Sequence, residues 1–499
     1  LAKSVLLGSA AVLTVAAGAQ AADLPSRKAA PVEYVKICDA YGAGFFYIPG
    51  TDTCLRIGGY VRAEYDFSPG QSIRSAATGA VTQIGSAQDQ TGMEMRGRID
   101  VDARTQTAWG TVQTVVQLRG ANTEGLRTTS ATSNFTTAYV PVGNSNSALT
   151  MERAYIRFAG LTAGVAEENA NTMPSYMYSS NVYPGFPNGI KQLVYTATFG
   201  GGFSATFGVE SRGEFGYNKP STGSAVAPSL VTTATNSQYV SQWDTGYELV
   251  GNVRYDASWG YVQVAGLAGD DSVGCTSSAA SPTGQVCTAT YNPLVGPTKY
   301  GQWGFVGSFG VKLPMIAPGD EFHMEGTVTH GFIGASESTG GLSDLSDSSN
   351  KRAMGGVIRA DSNLVPTVVS STGAVDAYGE TDAWGVYGIF THYWTPQWRS
   401  NLAVGYLDIS PPTANCSTVA AGVCVQNGGL NTQWGEGKLL QVAGNIIWSP
   451  TKNFNIGFEA EYLHLTSVLQ NQTTAFIAAG SPGLTESAVI YHLRLERQF

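Results

Sequence analysis

Eight arginines, Arg56, Arg62, Arg96, Arg98, Arg104, Arg119, Arg153 and Arg157, fall where an alternating reading of the chain puts them on one face. Glu167 and Glu168 are the only acids between Arg157 and Glu210. A guanidinium is permanently charged and acts as a fixed source of field rather than as a base or nucleophile. A row of them facing carboxylates sets a transverse field across the gap between, which orients dipolar solutes and sends cations and anions along different sides. The alternative is pairing with charges on neighbouring strands, Asp100 and Asp102 among them, and both arrangements can hold at once. Bond-making chemistry has no comparable basis. His323, His330, His392, His464 and His492 lack HExxH spacing, and no GxSxG elbow or P-loop occurs. Gly200, Gly201 and Gly202 with Ala205 read as a hairpin, not a dinucleotide fingerprint. Asp344 and Asp347 in SDLSDSSN suit a solvated loop better than a calcium site. The residues therefore point to no enzyme, no metal and no cofactor.

What positions the arginines is a period-two pattern. Leu55, Ile57, Val61, Ala63 and Tyr65 oppose Arg56, Arg62, Glu64 and Asp66. Met95, Ile99, Val101 and Ala103 oppose Glu94, Arg96, Arg98, Asp100, Asp102 and Arg104, and Val112, Thr114, Val116 and Leu118 oppose Gln113, Gln117 and Arg119. Successive side chains of a strand point to opposite faces, so each segment has one apolar and one polar face. The pattern recurs through about sixteen segments, with an error of two. Glu248, Glu321, Glu325, Glu459 and Glu461 share the polar parity, and with the net charge they favour a weak preference for cations, against the pull of the arginines.

Charged residues are 13% of the 499, against about 25% in ordinary globular domains, too few to coat a large soluble surface. The net charge of -9 argues against nucleic acid as a partner. Residues 1–22, with Lys3, an apolar run from Val5 to Ala17 and small residues around Ala21, read as a secretory signal peptide rather than a membrane anchor. No other stretch approaches the eighteen apolar residues of a spanning helix, so a membrane could be crossed only by strands. Residues 23–53 then form a lead-in and 54–499 a barrel domain. Six cysteines fall in near pairs, Cys38 with Cys54, Cys275 with Cys287 and Cys416 with Cys424. In an exported chain each is a candidate local disulfide worth about 2 to 3 kcal/mol, with free thiols as the alternative.

Nine tryptophans stand at strand ends. Trp109, Trp259, Trp394, Trp398 and Trp448 lie at short turns, while Trp243, Trp303, Trp384 and Trp434 lie where long Ser-, Thr- and Gly-rich loops re-enter strands. Two rings of indole describe the aromatic girdles of a membrane barrel. A propeller would need a core-facing Trp at constant spacing, which the alternating short and long gaps do not supply. The last segment, AVIYHLRLERQF, alternates and stops on Phe499 at the end of its apolar face.

That ending resembles the closing strand of bacterial outer-membrane β-barrels. The segment VEYVKICDAYGAGFFYIPGTDTCLRIGGYVRAEYDF (32–67) resembles the start of alphaproteobacterial porins of the rhizobial and Brucella type, as do ERAYIRFAGLTAG (152–164) and LVYTATFGGGFSATFGVE (193–210). The resemblance implies an all-β transmembrane antiparallel barrel of sixteen strands, a passive diffusion channel of a Gram-negative outer membrane. It further implies a homotrimer set in outer-membrane lipid and lipopolysaccharide, with Phe499 read by the barrel-assembly machinery. The third external loop should fold inward and narrow the lumen. By position it is Gly164–Gly189, where Glu167, Glu168 and Asn169 replace the aromatic or basic residues of relatives. A substrate-specific channel is the near alternative, with Tyr176, Tyr178 and Tyr183 as its aromatic candidates, although they suit packing of the loop against the wall. A secreted adhesin or hydrolase is the more distant one.

Overall fold

The computed structural model describes residues 36–69, 71–75, 81–84, 91–125, 148–178, 189–211, 237–242, 247–277, 298–332, 335–336, 362–369, 374–380, 382–410, 419–420, 423–424, 432–433, 437–468, 470–471 and 483–499. The chain divides into two compact units, 1–55 and 56–499. The signal-peptide segment 1–22, with Trp243, Trp434, Tyr183, Asp344 and Asp347, lies outside the described residues.

In the first unit a disulfide joins Cys38 to Cys54, as its local spacing suggests. It is packed with Phe45, Tyr41 and Tyr47 around a small antiparallel pairing of Phe46 with Leu55 and Tyr47 with Cys54. The other two pairs reach outside the described residues, at Cys287 and Cys416.

In the second unit sixteen antiparallel strands close on themselves: β1 (Thr53–Phe67), β2 (Thr91–Thr107), β3 (Gly110–Gly125), β4 (Ala148–Phe158), β5 (Leu161–Ala166), β6 (Ile190–Gly200), β7 (Phe203–Ser211), β8 (Tyr247–Ala257), β9 (Gly260–Ser277), β10 (Thr298–Lys312), β11 (Glu321–His330), β12 (Asp382–Thr395), β13 (Trp398–Ser410), β14 (Gly437–Thr451), β15 (Phe454–Val468) and β16 (Gly483–Gln498). β16 closes the ring against β1, in register from Tyr60 opposite Gln498 to Phe67 opposite Tyr491. Phe499 completes the seam, exchanging backbone hydrogen bonds with Gly59 at 3.1 and 3.3 Å. A Cβ at Gly59 would overlap the Arg98 carbonyl of β2, so only glycine lets three strands meet there. Closure leaves the ring of sixteen strands itself without an edge.

The faces are inverted relative to a globular protein. Ile57, Val61, Met95, Ile99, Leu193, Phe207, Val264, Phe305, Leu402, Phe458, Leu493 and Leu495 are exposed, whereas Glu64, Asp66, Glu210, Glu248, Gln263, Glu325, Asn445, Glu459 and Glu461, of the opposite parity, are buried. Only hydrocarbon makes such an outer surface favourable. Trp109, Trp259, Trp394, Trp398 and Trp448 stand exposed at or beside short turns, and Trp303 and Trp384 near the opposite ends of their strands. Several stretches assigned to long loops carry strands of their own, among them Gln71–Ser75, which pairs with β16, and Ser237–Gln242, which pairs with β9.

The inward parity is not uniformly polar or wet. Val194, Val250, Ala265, Leu267 and Val306 point inward and pack in one cluster with Ala170 and Phe332. Ala383, Leu407, Ile409, Leu439, Leu463, Ala488 and Ile490 form another. The first is covered by chain folded into the barrel: residues after β5, and the segment after β11, where the Tyr387 hydroxyl donates to the Ser336 carbonyl.

Candidate functional site

The chain leaving β5 turns inward. Gly164, Val165 and Ala166 are still strand, so the inner segment begins at Glu167 rather than Gly164. From Asn169 to Tyr178 it runs along the inner wall, and the wall answers its exposed backbone with side chains. Glu210 of β7 accepts the Asn169 N–H at 3.0 Å, Glu325 of β11 accepts that of Thr172 at 2.8 Å, and Glu459 of β15 accepts that of Tyr178 at 2.7 Å. Amides serve the carbonyls. Asn252 and Gln263 donate to Asn169 O at 2.7 and 3.1 Å, and Asn401 and Asn445 to Tyr176 O at 3.5 and 3.1 Å. A segment without secondary structure has unpaired donors and acceptors at every residue, and burying it requires these partners.

Apolar contacts complete the seat. Met177 packs with Tyr387, Ile389, Ala403 and Ala443, with Met173 beside them. Tyr178 is the terminal clamp: Arg494 of β16 donates to its carbonyl at 3.0 Å and lies 4.1 Å from its ring centroid. Its hydroxyl rests on Gly457 of β15, where a Cβ would overlap it. Burial pushes the Tyr178 phenol up to about 12, against the pull of Arg494. Burial, with a hydrogen bond to Glu321, also raises Tyr176, so both remain neutral phenols. Gly457→Ala is expected to push the Tyr178 ring off the wall and lower the open-channel conductance in bilayer recordings. An unchanged conductance would show that the ring has room to slide aside.

The segment thus follows the wall from β6 to β16. The arginine-bearing strands β1–β4 stand on the other side, and their guanidiniums are braced by carboxylates. Arg96 pairs with Glu94 (2.7 Å), Arg98 with Asp100 (2.8 Å) and Arg104 with Asp102 (2.7 Å), each two residues along one strand face. Arg56 reaches Asp102 at 3.6 Å and Arg62 reaches Glu496 at 2.6 Å. Arg98 and Arg119 share Glu152, at 3.3 and 2.7 Å. Glu152 was missed because it follows Met151 on the apolar side of the count. A bulge shifts the register between β3 and β4, pairing Gln117 with Arg153 and Leu118 with Met151, and turns both Glu152 and Arg153 inward. Arg153 bonds Glu167 at 3.3 Å, and Arg157 lies 4.8 Å from the Tyr155 ring centroid. Glu168 accepts from Asn171 at 3.2 Å, within the inner segment itself. The later acids Glu248, Glu325, Glu459 and Glu461 are buried rather than bared to the lumen, Glu325 and Glu459 beneath the inner segment.

A sixteen-stranded closed barrel with an apolar outside, a polar and partly filled inside and chain folded against its inner wall defines a membrane channel. The comparisons agree. A family model described as porin subfamily matches residues 23–482, and the chain belongs to that family. It is 34% identical over 326 residues to porin Omp2b of Brucella neotomae and, equally, of Brucella abortus (strain 2308), covering 60% of this chain and 77% of each relative. The outer membrane channel DcaP of Acinetobacter baumannii has the same fold, with a TM-score of 0.53 at 13% identity over 91% of this chain and 99% of that one. The protein is an outer-membrane porin of a Gram-negative cell, a channel.

Proposed function

We propose that this porin passes small hydrophilic solutes and ions by passive diffusion between the inner segment 167–178 and the braced arginines of β1–β4. The single observation that carries this reading is the seating of Asn169–Tyr178 against β6–β16, which leaves the inner faces of β1–β4 as the opposite bank. Arg56, Arg62, Arg96, Arg98, Arg104, Arg119, Arg153 and Arg157 line that bank, with Glu167 as the exposed carboxylate opposite. Because most of these guanidiniums are paired, their field is local and the ion selectivity weak. Pairing also stiffens long side chains that would otherwise sweep the passage. The working unit is a homotrimer, with part of the apolar outer face covered by neighbouring copies and the rest by lipid and lipopolysaccharide. Phe499, exposed at the barrel seam, is available to the assembly machinery before closure.

Conductance in planar bilayers with a series of neutral solutes of increasing size tests the reading. Conductance should fall until a cut-off size and then recover as larger solutes fail to enter. Neutralising Arg96, Arg98 and Arg157 together to Gln should shift the reversal potential in a salt gradient toward cations. Identical reversal potentials would remove these arginines from the path.

A further inference from the structure

Below the inner segment, on the side of the strand-closing seam, is a recess of about 190 Å³ lined by Tyr176, Tyr178, Arg62, Arg399, Arg494 and Asn455, among others. The three guanidiniums differ in what answers them. Arg62 is bonded to Glu496 at 2.6 Å, and Arg494 is bonded to Glu64 and caps Tyr178. Arg399, on the inward face of β13, donates to the Ser449 hydroxyl at 3.1 Å, and among the described residues no carboxylate pairs with it. Ser449 is itself committed, donating to Asn455 Oδ1 at 2.6 Å. A half-buried guanidinium held by one neutral acceptor keeps most of its donor fork for something else. Around it the recess is lined by Asn455, by Glu496 and Gln498, the latter donating to the former at 2.9 Å, and by the phenols of Tyr176 and Tyr178.

We infer that this recess is an equilibrium binding site for a small hydroxylated carboxylate, of the sugar-acid class, with its carboxylate on Arg399. A carboxylate matches the planar fork in a bidentate way that chloride cannot. Hydroxyls suit the Asn455 amide and the phenol oxygens, with Tyr176 left as an acceptor because its own proton is held by Glu321. The recess is walled by Tyr176 and Tyr178 of the inner segment that borders the proposed passage, so an occupant would obstruct ion flow. The inference rests on the channel reading above, since the solute reaches the site through the lumen.

The test is potassium gluconate added to single channels of the intact protein in bilayers, with glucose as the neutral control. Gluconate should reduce the current saturably, glucose should not, and Arg399→Gln should weaken the gluconate effect roughly tenfold or more, the worth of one charge-assisted pair. Arg399→Lys, which keeps the charge and loses the fork, should fall between. Open-channel conductance in potassium chloride reports in the same membrane that each variant is folded. A conducting wild-type channel without saturable block, or one blocked equally in the Gln variant, overturns the site. A wild-type protein that never conducts overturns the channel reading itself.

Discussion

Deleting residues 169–178 should at least about double the single-channel conductance, because chain that occupies the lumen against eleven strands would be replaced by water. The barrel itself should survive. Its strands are joined by an unbroken antiparallel ladder from β1 round to β16 that owes nothing to the inner segment. The cost falls on the wall glutamates. Glu210, Glu325 and Glu459 would lose the N–H groups of Asn169, Thr172 and Tyr178, but the water entering behind the deletion solvates them in turn. A deletion that folds, stays in the membrane and conducts no better than the full chain would show that the limiting narrowing lies elsewhere.

Arg494→Leu is expected to have the largest effect on stability of any single change on the inner wall. Its guanidinium bonds Glu64, whose side chain is 1% exposed, and donates to the Tyr178 carbonyl. His492 stands beside that carboxylate, 2.6 Å from Asp66 and 3.9 Å from Glu64, so two carboxylates and an imidazole share a small volume. Taking one partner from a buried ion pair leaves a charge whose desolvation is no longer offset, a loss of roughly 3–5 kcal/mol. Because large barrels unfold irreversibly, the loss should be read as a rate, in the temperature and time at which the compact electrophoretic form is lost on heating. Arg494→Lys should recover only part of it, since an ammonium supplies the charge but not the planar fork. A Leu variant as heat-resistant as the wild type would mean that Glu64 is neutral or hydrated in the native barrel.

How legible this protein is in its sequence depends on whether the pattern comes from the strand or from what covers it. Alternation is a property of the strand alone, so Ile57 and Val61 against Arg62 and Glu64 reveal β1 directly, and sixteen such segments give the barrel. Phe499 marks the seam for the same reason. The bulge at Glu152 and Arg153 breaks the count by one residue and hides an acid that two arginines depend on. The dry inner clusters were overlooked although a signal exists. LAVGYLDI in β13 and LLQVAGNII in β14 are apolar at both parities, the pattern of strands covered on both faces. Nothing local in NTMPSYMY tells which wall side chains receive it, since Glu325 and Glu459 are 153 and 281 residues distant from their partners. A carboxylate that accepts a loop N–H reads in sequence like one that faces water, so the parity that turns Glu325 and Glu459 inward does not tell that they are covered.

The central claim concerns which solvent lies on which side of the sheet, and β16 offers the most direct measurement. Nitroxide labels placed singly at Leu493, Leu495, Glu496 and Gln498 of the membrane-embedded protein should divide by parity. Those at Leu493 and Leu495 should relax with oxygen dissolved in the bilayer, and those at Glu496 and Gln498 with a water-soluble nickel chelate. Labels at Leu493 and Leu495 shielded from lipid and locked in a dry interior, or the same four positions showing no alternation, would contradict a water-filled barrel and everything built on it.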